Sequence, residues 1–179
     1  MYACCMIVPG ASTTEPSGTL PNRDAAVWCG LRQAYLAVSR ELDSALRAAH
    51  RVPLGEYELL RALSHPGCAQ RMAGLAGAVG LSPSGLTRAI ERLEARGLVR
   101  RVPCPADGRG AMAALEPTGE ALLQRATVTH DAVLRRVLLD RLSPEETTQL
   151  MGIWLQLAGS ADACPWGEEP ISAHHTCDG

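Results

Sequence analysis

The segment Ser82-Pro83-Ser84-Gly85-Leu86-Thr87-Arg88-Ala89-Ile90-Glu91-Arg92 gathers three hydroxyls and two guanidinium groups in a short run. Hydroxyls and free helix amides hydrogen-bond to phosphate oxygens, and a guanidinium fork matches the paired acceptors on the edge of guanine. Arg88 is the first candidate for a base contact, with Ser82, Ser84 and Thr87 dividing between phosphate positioning and weaker readout. Gly85 and Arg92 complete the face. Further on, Arg109 offers another fork, and Asp107 stands two residues before it, where a carboxylate pre-orients the guanidinium. Each of these residues also has a plainer use: Arg88 and Arg92 suit surface pairing with Glu91 or Glu94, and a tip arginine merely solubilises. Their joint placement favours a polyanion. From Arg71 to Arg109 seven arginines face three acids, an excess of four positive charges, whereas from Glu116 to Gly179 four arginines face ten acids, an excess of six negative ones.

Periodicity supplies the elements that must hold these groups. A helix starting near Asp24 puts Val27, Leu31, Tyr35, Val38, Leu42 and Leu46 on one face and ends by Pro53. A shorter helix covers about Gly55 to Ser64, with Leu59, Leu60 and Leu63 inward, and His65-Pro66-Gly67 stops it. Met72 to Val79 comes next, and after Gly80-Leu81 a helix runs from about Pro83 to Arg96. Ser82 is its N-cap and Pro83 its first residue. Leu86, Ile90 and Leu93 form the inner face of that helix, and Thr87, Arg88, Glu91 and Arg92 the outer. Gly97 is placed for a left-handed C-cap. Leu98–Val102 and Ala111–Leu115 read as two strands around a turn-rich tip, Pro103–Gly110. Pro117 to about Leu139 is a long helix with Leu122, Ala126, Val133 and Val137 inward. Ser143 and Glu146 form a capping box for a last helix carrying Leu150, Ile153, Trp154 and Leu157.

The length of 179 residues allows one domain with extensions, and 46% apolar against 20% charged residues excludes wholesale disorder. Aromatic residues are 3% and Phe is absent, so Leu, Ala and Val fill the core, which suits helices. All 17 basic residues are arginine and the formal net charge is −2, so no chain-wide basic footprint exists. No apolar run reaches the ~18 residues of a membrane span, and Met1–Val8 lacks the basic flank of a signal peptide. A cytoplasmic location is the expectation.

Two short helices, a tight joint, a second helix with a polar outer face and a strand hairpin make the order of a winged helix-turn-helix. In that geometry the second helix enters the major groove and Arg109 at the hairpin tip reaches the minor groove. From Ala73 through Leu81-Ser82-Pro83-Ser84-Gly85-Leu86-Thr87-Arg88 to Arg101, then Asp107-Gly108-Arg109-Gly110 and Leu115-Glu116-Pro117-Thr118-Gly119, the chain resembles the MarR family of multiple-antibiotic-resistance regulators, over roughly Ala25 to Ala158. The resemblance implies a mainly α fold with a small β-hairpin wing and N- and C-terminal dimerisation helices. It divides the chain into an arm (1–22), a MarR-type domain (23–160) and a tail (161–179). Within the domain, 54–116 form the DNA-binding lobe, and 23–50 with 117–160 the dimerisation helices. It further implies a homodimer on a palindromic double-stranded operator, acting as a repressor that a small aromatic effector releases. Trp28, Tyr35, Tyr57 and His130 would line the effector cleft, though Trp28 and Tyr57 suit core packing equally. Gly108 stands where many relatives carry another arginine, which implies fewer wing contacts.

Some relatives sense peroxide through a cysteine with tyrosines nearby, and Cys29 with Tyr35 and Tyr57 is loosely similar. That makes a thiol-based repressor the alternative, against an inert buried Cys29. Cys104 lies in the wing and Cys4-Cys5 and Cys68 join no pattern. Cys164, His174, His175 and Cys177 are competent zinc ligands in a spacing that fits no strong motif, so neither metal nor cofactor is expected. No phosphate-binding Gly loop, nucleophile elbow or His-Glu metal motif is present, which argues against an enzyme. A dimeric module for protein contact alone is the remaining alternative.

Overall fold

A computed structural model describes residues 21–64, 70–71, 75–77, 79–103 and 111–158. The tail, residues 1–20 of the expected arm, the wing tip with Cys104, Asp107 and Arg109, and the Cys164, His174, His175 and Cys177 group lie outside the described residues, and Asn22, the last residue of that arm, already belongs to the first helix. Helix α1 spans Asn22–His50 and α2 spans Leu54–Leu63. Between them Arg51 takes a left-handed φ of 57°, and Val52 N–H bonds back to the carbonyl of Leu46. The Asp43 carboxylate fixes the reversal: Oδ1 accepts the Leu54 amide at 2.9 Å and Oδ2 accepts Arg47 Nε at 2.6 Å. The hydrogen bond from Arg47 holds the Asp43 carboxyl below its usual pKa, with the Leu54 amide adding to it and partial burial opposing it.

Residues 75–77 are helical, and α3 spans Pro83–Ala95. Strand β2, Val99–Pro103, returns as β3, Ala111–Leu115, in an antiparallel pair that sets Val99 opposite Leu115 and Pro103 opposite Ala111. A short strand, β1 at Gln70–Arg71, pairs with the other side of β3, giving the order β1-β3-β2. Two residues carry no readable alternation, so periodicity did not reveal this third strand. Pro103 falls on the edge strand, where its missing N–H breaks no internal ladder.

Helix α4 spans Pro117–Val137, a 3-10 turn covers Leu139–Arg141, and α5 spans Pro144–Ala158. The sequence reading carried α4 on to Leu139. The chain instead breaks at Leu138, whose φ of −129° is not helical. The capping box of α5 forms as expected: Ser143 N–H donates to Glu146 Oε2 at 2.8 Å and Glu146 N–H to Ser143 Oγ at 3.2 Å.

The main core joins Leu59, Leu60 and Leu63 of α2, Leu86, Ile90 and Leu93 of α3, and Leu122, Leu123 and Ala126 of α4, with Leu75, Leu98, Val99 and Ala113 between them. Full burial of one Leu or Ile stabilises by about 1.5–3 kcal/mol. A smaller cluster, Leu42, Val133 and Val137, seals the C-terminal half of α1 against the end of α4. The predicted inner face of α1 divides: Leu42 and Leu46 are buried, whereas Val27, Leu31 and Tyr35 stand exposed. The spacing marks an apolar stripe along the whole helix and does not distinguish a core from a surface awaiting a partner.

Gly119, buried in the first turn of α4, meets the start of β2. A Cβ there would lie 2.1 Å from the backbone oxygen of Leu98 and 2.9 Å from Leu115 Cδ1. Neither the carbonyl nor the sheet it leads into can withdraw, so Gly119→Ala should destabilise the fold by about 1–3 kcal/mol or more. A thermal or urea melt checks this, and an unchanged midpoint would refute the close approach.

Candidate nucleic-acid interface

The outer face of α3 is held by its two ends. At the N-terminus Ser82 Oγ accepts the Gly85 amide at 3.1 Å and lies 3.4 Å from Ser84 Oγ, a cap that contributes about 1 kcal/mol. Pro83 has no N–H to offer, and the Ser84 amide lies too early in the helix for an intrahelical partner. The hydroxyls of Ser82 and Ser84 therefore border an exposed amide at the positive end of the helix. At the C-terminus Gly97 takes a φ of 67°. Leu98 N–H bonds to the carbonyl of Leu93 and Gly97 N–H to that of Glu94, the paired bonds of a Schellman turn, with Leu93 and Leu98 both buried beneath it.

Between these ends Leu86, Ala89, Ile90 and Leu93 are buried, and Ser82, Ser84, Thr87, Arg88, Glu91 and Arg92 are exposed. Gly85 is half-buried, and a Cβ there would come within 3.1 Å of the capping Ser82 Oγ. Thr87 donates its hydroxyl to the Pro83 carbonyl at 3.0 Å, which leaves its methyl and its oxygen lone pairs outward.

The charges on this face are largely paired, though not as expected. Glu91 and Glu94 take Arg101 of β2, at 3.6 and 3.5 Å, instead of Arg88 or Arg92. Glu94 also accepts the Arg101 backbone N–H at 3.3 Å. Arg92 Nε donates to Glu56 Oε1 at 2.7 Å, and Arg96 Nη1 reaches Glu56 Oε2 at 3.4 Å. Arg100 Nε pairs with Glu116 at 2.9 Å. Among the described residues, Arg88 is the arginine of α3 that no acid or carbonyl engages.

Glu56 was missed in the sequence, and so was the role of Arg96. The signal was present: Glu56 stands at the helical spacing of Leu59, Leu60 and Leu63, a carboxylate on an otherwise apolar face. On the same helix Glu58 is half-buried, and that burial raises its carboxyl pKa.

Two residues of the expected effector cleft do come together. Tyr57 is 1% exposed and stacks on His130, ring centroids 4.8 Å apart, so each ring covers the other. Tyr57 hydroxyl lies 3.3 Å from Thr127 Oγ1 and accepts Arg61 Nη1 at 3.5 Å. His130 Nδ1 lies 2.8 Å from Asp131 Oδ1. Trp28 and Tyr35 are 62% and 67% exposed on the first half of α1. Cys29 lies exposed on the same stretch, contrary to the buried position expected for an inert thiol. Among the described residues no three His, Cys, Asp or Glu side chains gather as a metal site, and no helix is long and apolar enough to cross a membrane.

A helix-turn-helix whose second helix exposes hydroxyls and guanidinium groups, followed by a hairpin packed on its C-terminus, defines a winged helix-turn-helix protein. Residues 52–110 match the MarR family. A MarR family transcriptional regulator from Streptomyces coelicolor, solved in complex with DNA, is 32% identical and superposes with a TM-score of 0.72 over 82% of this chain and 91% of its own. AbsC, another MarR family transcriptional regulator from the same organism, is 29% identical, with a TM-score of 0.71 over 80% and 97%. The HTH-type transcriptional regulator PecS of Dickeya dadantii is 28% identical over 125 residues, 69% of this chain and 74% of PecS. The chain belongs to the MarR family. It is a DNA-binding transcriptional regulator and not an enzyme.

Proposed function

We propose that the protein is a homodimeric repressor that reads a palindromic operator with α3 and is released by a small aromatic effector. The carrying observation is the charge pairing on α3. Arg101 pairs with Glu91 and Glu94, Glu56 engages Arg92, and Arg88 is exposed with its fork uncommitted. Arg88 would take the two acceptors of a guanine in the major groove. Ser82, Ser84 and the amides beside Gly85 would take phosphate oxygens, and the Thr87 methyl would meet a base edge. The S. coelicolor relative solved on DNA supports the same use of the fold. Arg109, with Asp107 two residues before it to orient its guanidinium, would extend the contact into the minor groove.

The domain reading follows from where apolar surface is left over. Residues 54–116 would form the DNA-binding lobe, and the flanking helices at 23–50 and 117–160 the dimer. On the first half of α1, Val27, Trp28, Leu31, Tyr35 and Leu36 are exposed. On α5, Met151, Ile153, Trp154, Leu155 and Leu157 are exposed as well. Solvated monomers do not keep stripes of this size, and a two-fold partner would cover them. The effector would meet the open ring faces of Trp28 and Tyr35, since Tyr57 and His130 already cover each other.

Arg88→Ala should relax the preference among operator sequences and cost about 1–3 kcal/mol on the best one. Arg109→Ala should weaken binding evenly and flatten its salt dependence. Gel-shift titrations at several salt concentrations separate the two, and equal small effects would mean that α3 is not the reading helix. In sedimentation the wild type should run as a dimer, and Trp154→Glu with Leu157→Glu should give a folded monomer with poor operator binding. A double variant that stays dimeric removes α5 from the interface. Benzoate-class ligands should release the duplex from the wild type and lose that effect in Trp28→Ala. Release that survives the substitution would place the effector elsewhere.

A further inference from the structure

Glu56 is the buried charged residue of the described core, only 4% exposed. It projects from the first turn of α2 and takes two guanidinium groups one turn apart at the C-terminal end of α3: Arg92 on Oε1 at 2.7 Å and Arg96 on Oε2 at 3.4 Å. Arg96 Nη1 also donates to the carbonyl of Arg51 at 3.3 Å. Arg51 is the residue in the left-handed φ region that turns α1 into α2. One carboxylate thus ties the reading helix to the α1–α2 reversal.

The pairing has a second consequence, electrostatic rather than geometric. Arg92 follows Arg88 by one helical turn and lies on the same exposed face, so in a groove it would stand beside phosphate. Its side chain is 58% exposed, yet its Nε is held against a carboxylate that is 5% exposed. A carboxylate shared by two guanidinium groups offsets one of their two charges and holds the Arg92 Nε on itself, and screening by solvent ions reaches a buried partner poorly. An unpaired arginine there would bind any duplex, because phosphate contacts carry no sequence information.

We infer that Glu56 is a specificity-determining positioning residue, which holds α3 in register through Arg92 and Arg96 and withholds the charge of Arg92 from indiscriminate phosphate binding. The inference rests on α3 being the reading helix, as proposed above. Its signature is a gain, since loss of a merely structural pair weakens all binding alike.

Two duplexes make the test: one enriched by the full-length protein from a random pool, and one of the same composition in scrambled order. Glu56→Gln keeps the shape and an acceptor for Arg92 but removes the charge. Affinity for the scrambled duplex should rise several-fold, the slope of log affinity against log salt should steepen by about 0.9, the increment for one added phosphate contact, and the preference for the enriched duplex should fall several-fold. An unchanged slope, or affinities for both duplexes falling together, overturns the inference. Should Glu56→Gln fail to fold by circular dichroism, Arg92→Gln decides: the salt slope should stay at the wild-type value because Arg92, held on Glu56, makes no phosphate contact to lose. A slope shallower by about 0.9 would make Arg92 an ordinary phosphate contact and overturn the inference. Arg88→Ala separates the two levels. If it leaves sequence preference intact, the reading helix is misassigned and both proposals fall. If it relaxes preference while Glu56→Gln leaves the slope unchanged, only the Glu56 inference falls.

Discussion

The placement of α3 depends on a joint of two residues, Gly97 and Leu98. The left-handed turn at Gly97 ends α3 and sends the chain into the wing, and the two amides that close the turn satisfy carbonyls that would otherwise be stranded at the helix end. The carbonyls of the joint then serve the next element. Gly97 O accepts the Thr118 hydroxyl, Leu98 O accepts the Glu116 amide, and the same Leu98 oxygen lies against Gly119, where no side chain fits. Helices α3 and α4 and the start of β2 therefore share one set of backbone contacts. A displacement of α4 cannot leave α3 where it was, because between them lies a packed joint without a spare atom.

That joint fixes the C-terminal end of α3, and a different kind of interaction fixes its roll. The contacts of Glu56 with Arg92 and Arg96 are directional, and they stand out in a core otherwise built from aliphatic side chains and Tyr57. Buried ion pairs contribute little net stability, since desolvation offsets most of the attraction. Their use is in geometry: an incorrect rotation of α3 would strand a carboxylate in the core. Arg101 does the corresponding work on the outer side, binding Glu91 and Glu94 of α3 to strand β2.

The elements were legible in the sequence to the extent that each carried a local signal. Ser82-Pro83, Gly97 and the Ser143–Glu146 box are start and stop signals whose physics lies within four residues, and the structure places all three as read. The apolar faces of α2, α3 and α4 were legible for the same reason, their spacing matching the helical period. What could not be read were relations across the chain. The partner of Arg92 is 36 residues away, and nothing local selects Glu56 over the nearby Glu91 or Glu94. Strand β1 is made by the neighbour it pairs with rather than by its own two residues. The exposed first half of α1 follows the same logic, for periodicity reports an apolar face and is silent on what meets it.

The candidate site divides along the same line. Which residue types could meet DNA is a local matter, and the cluster from Ser82 to Arg92 was visible at once. Which of them are free to do so is a question of charge accounting that only the folded chain answers. Four arginines lie on or beside the outer face of α3, and the fold commits three of them: Arg92 and Arg96 to Glu56, and Arg101 to Glu91 and Glu94. A face carrying four free guanidinium groups would hold any duplex and distinguish few. With Arg88 alone uncommitted, the proposed contact would concentrate the attraction at the residue whose fork can tell one base from another, while the hydroxyls at the N-terminus would take phosphate at geometries a wrong register cannot reproduce. Selectivity in this lobe would then come as much from the acids that pair the arginines around α3 as from the arginine they spare.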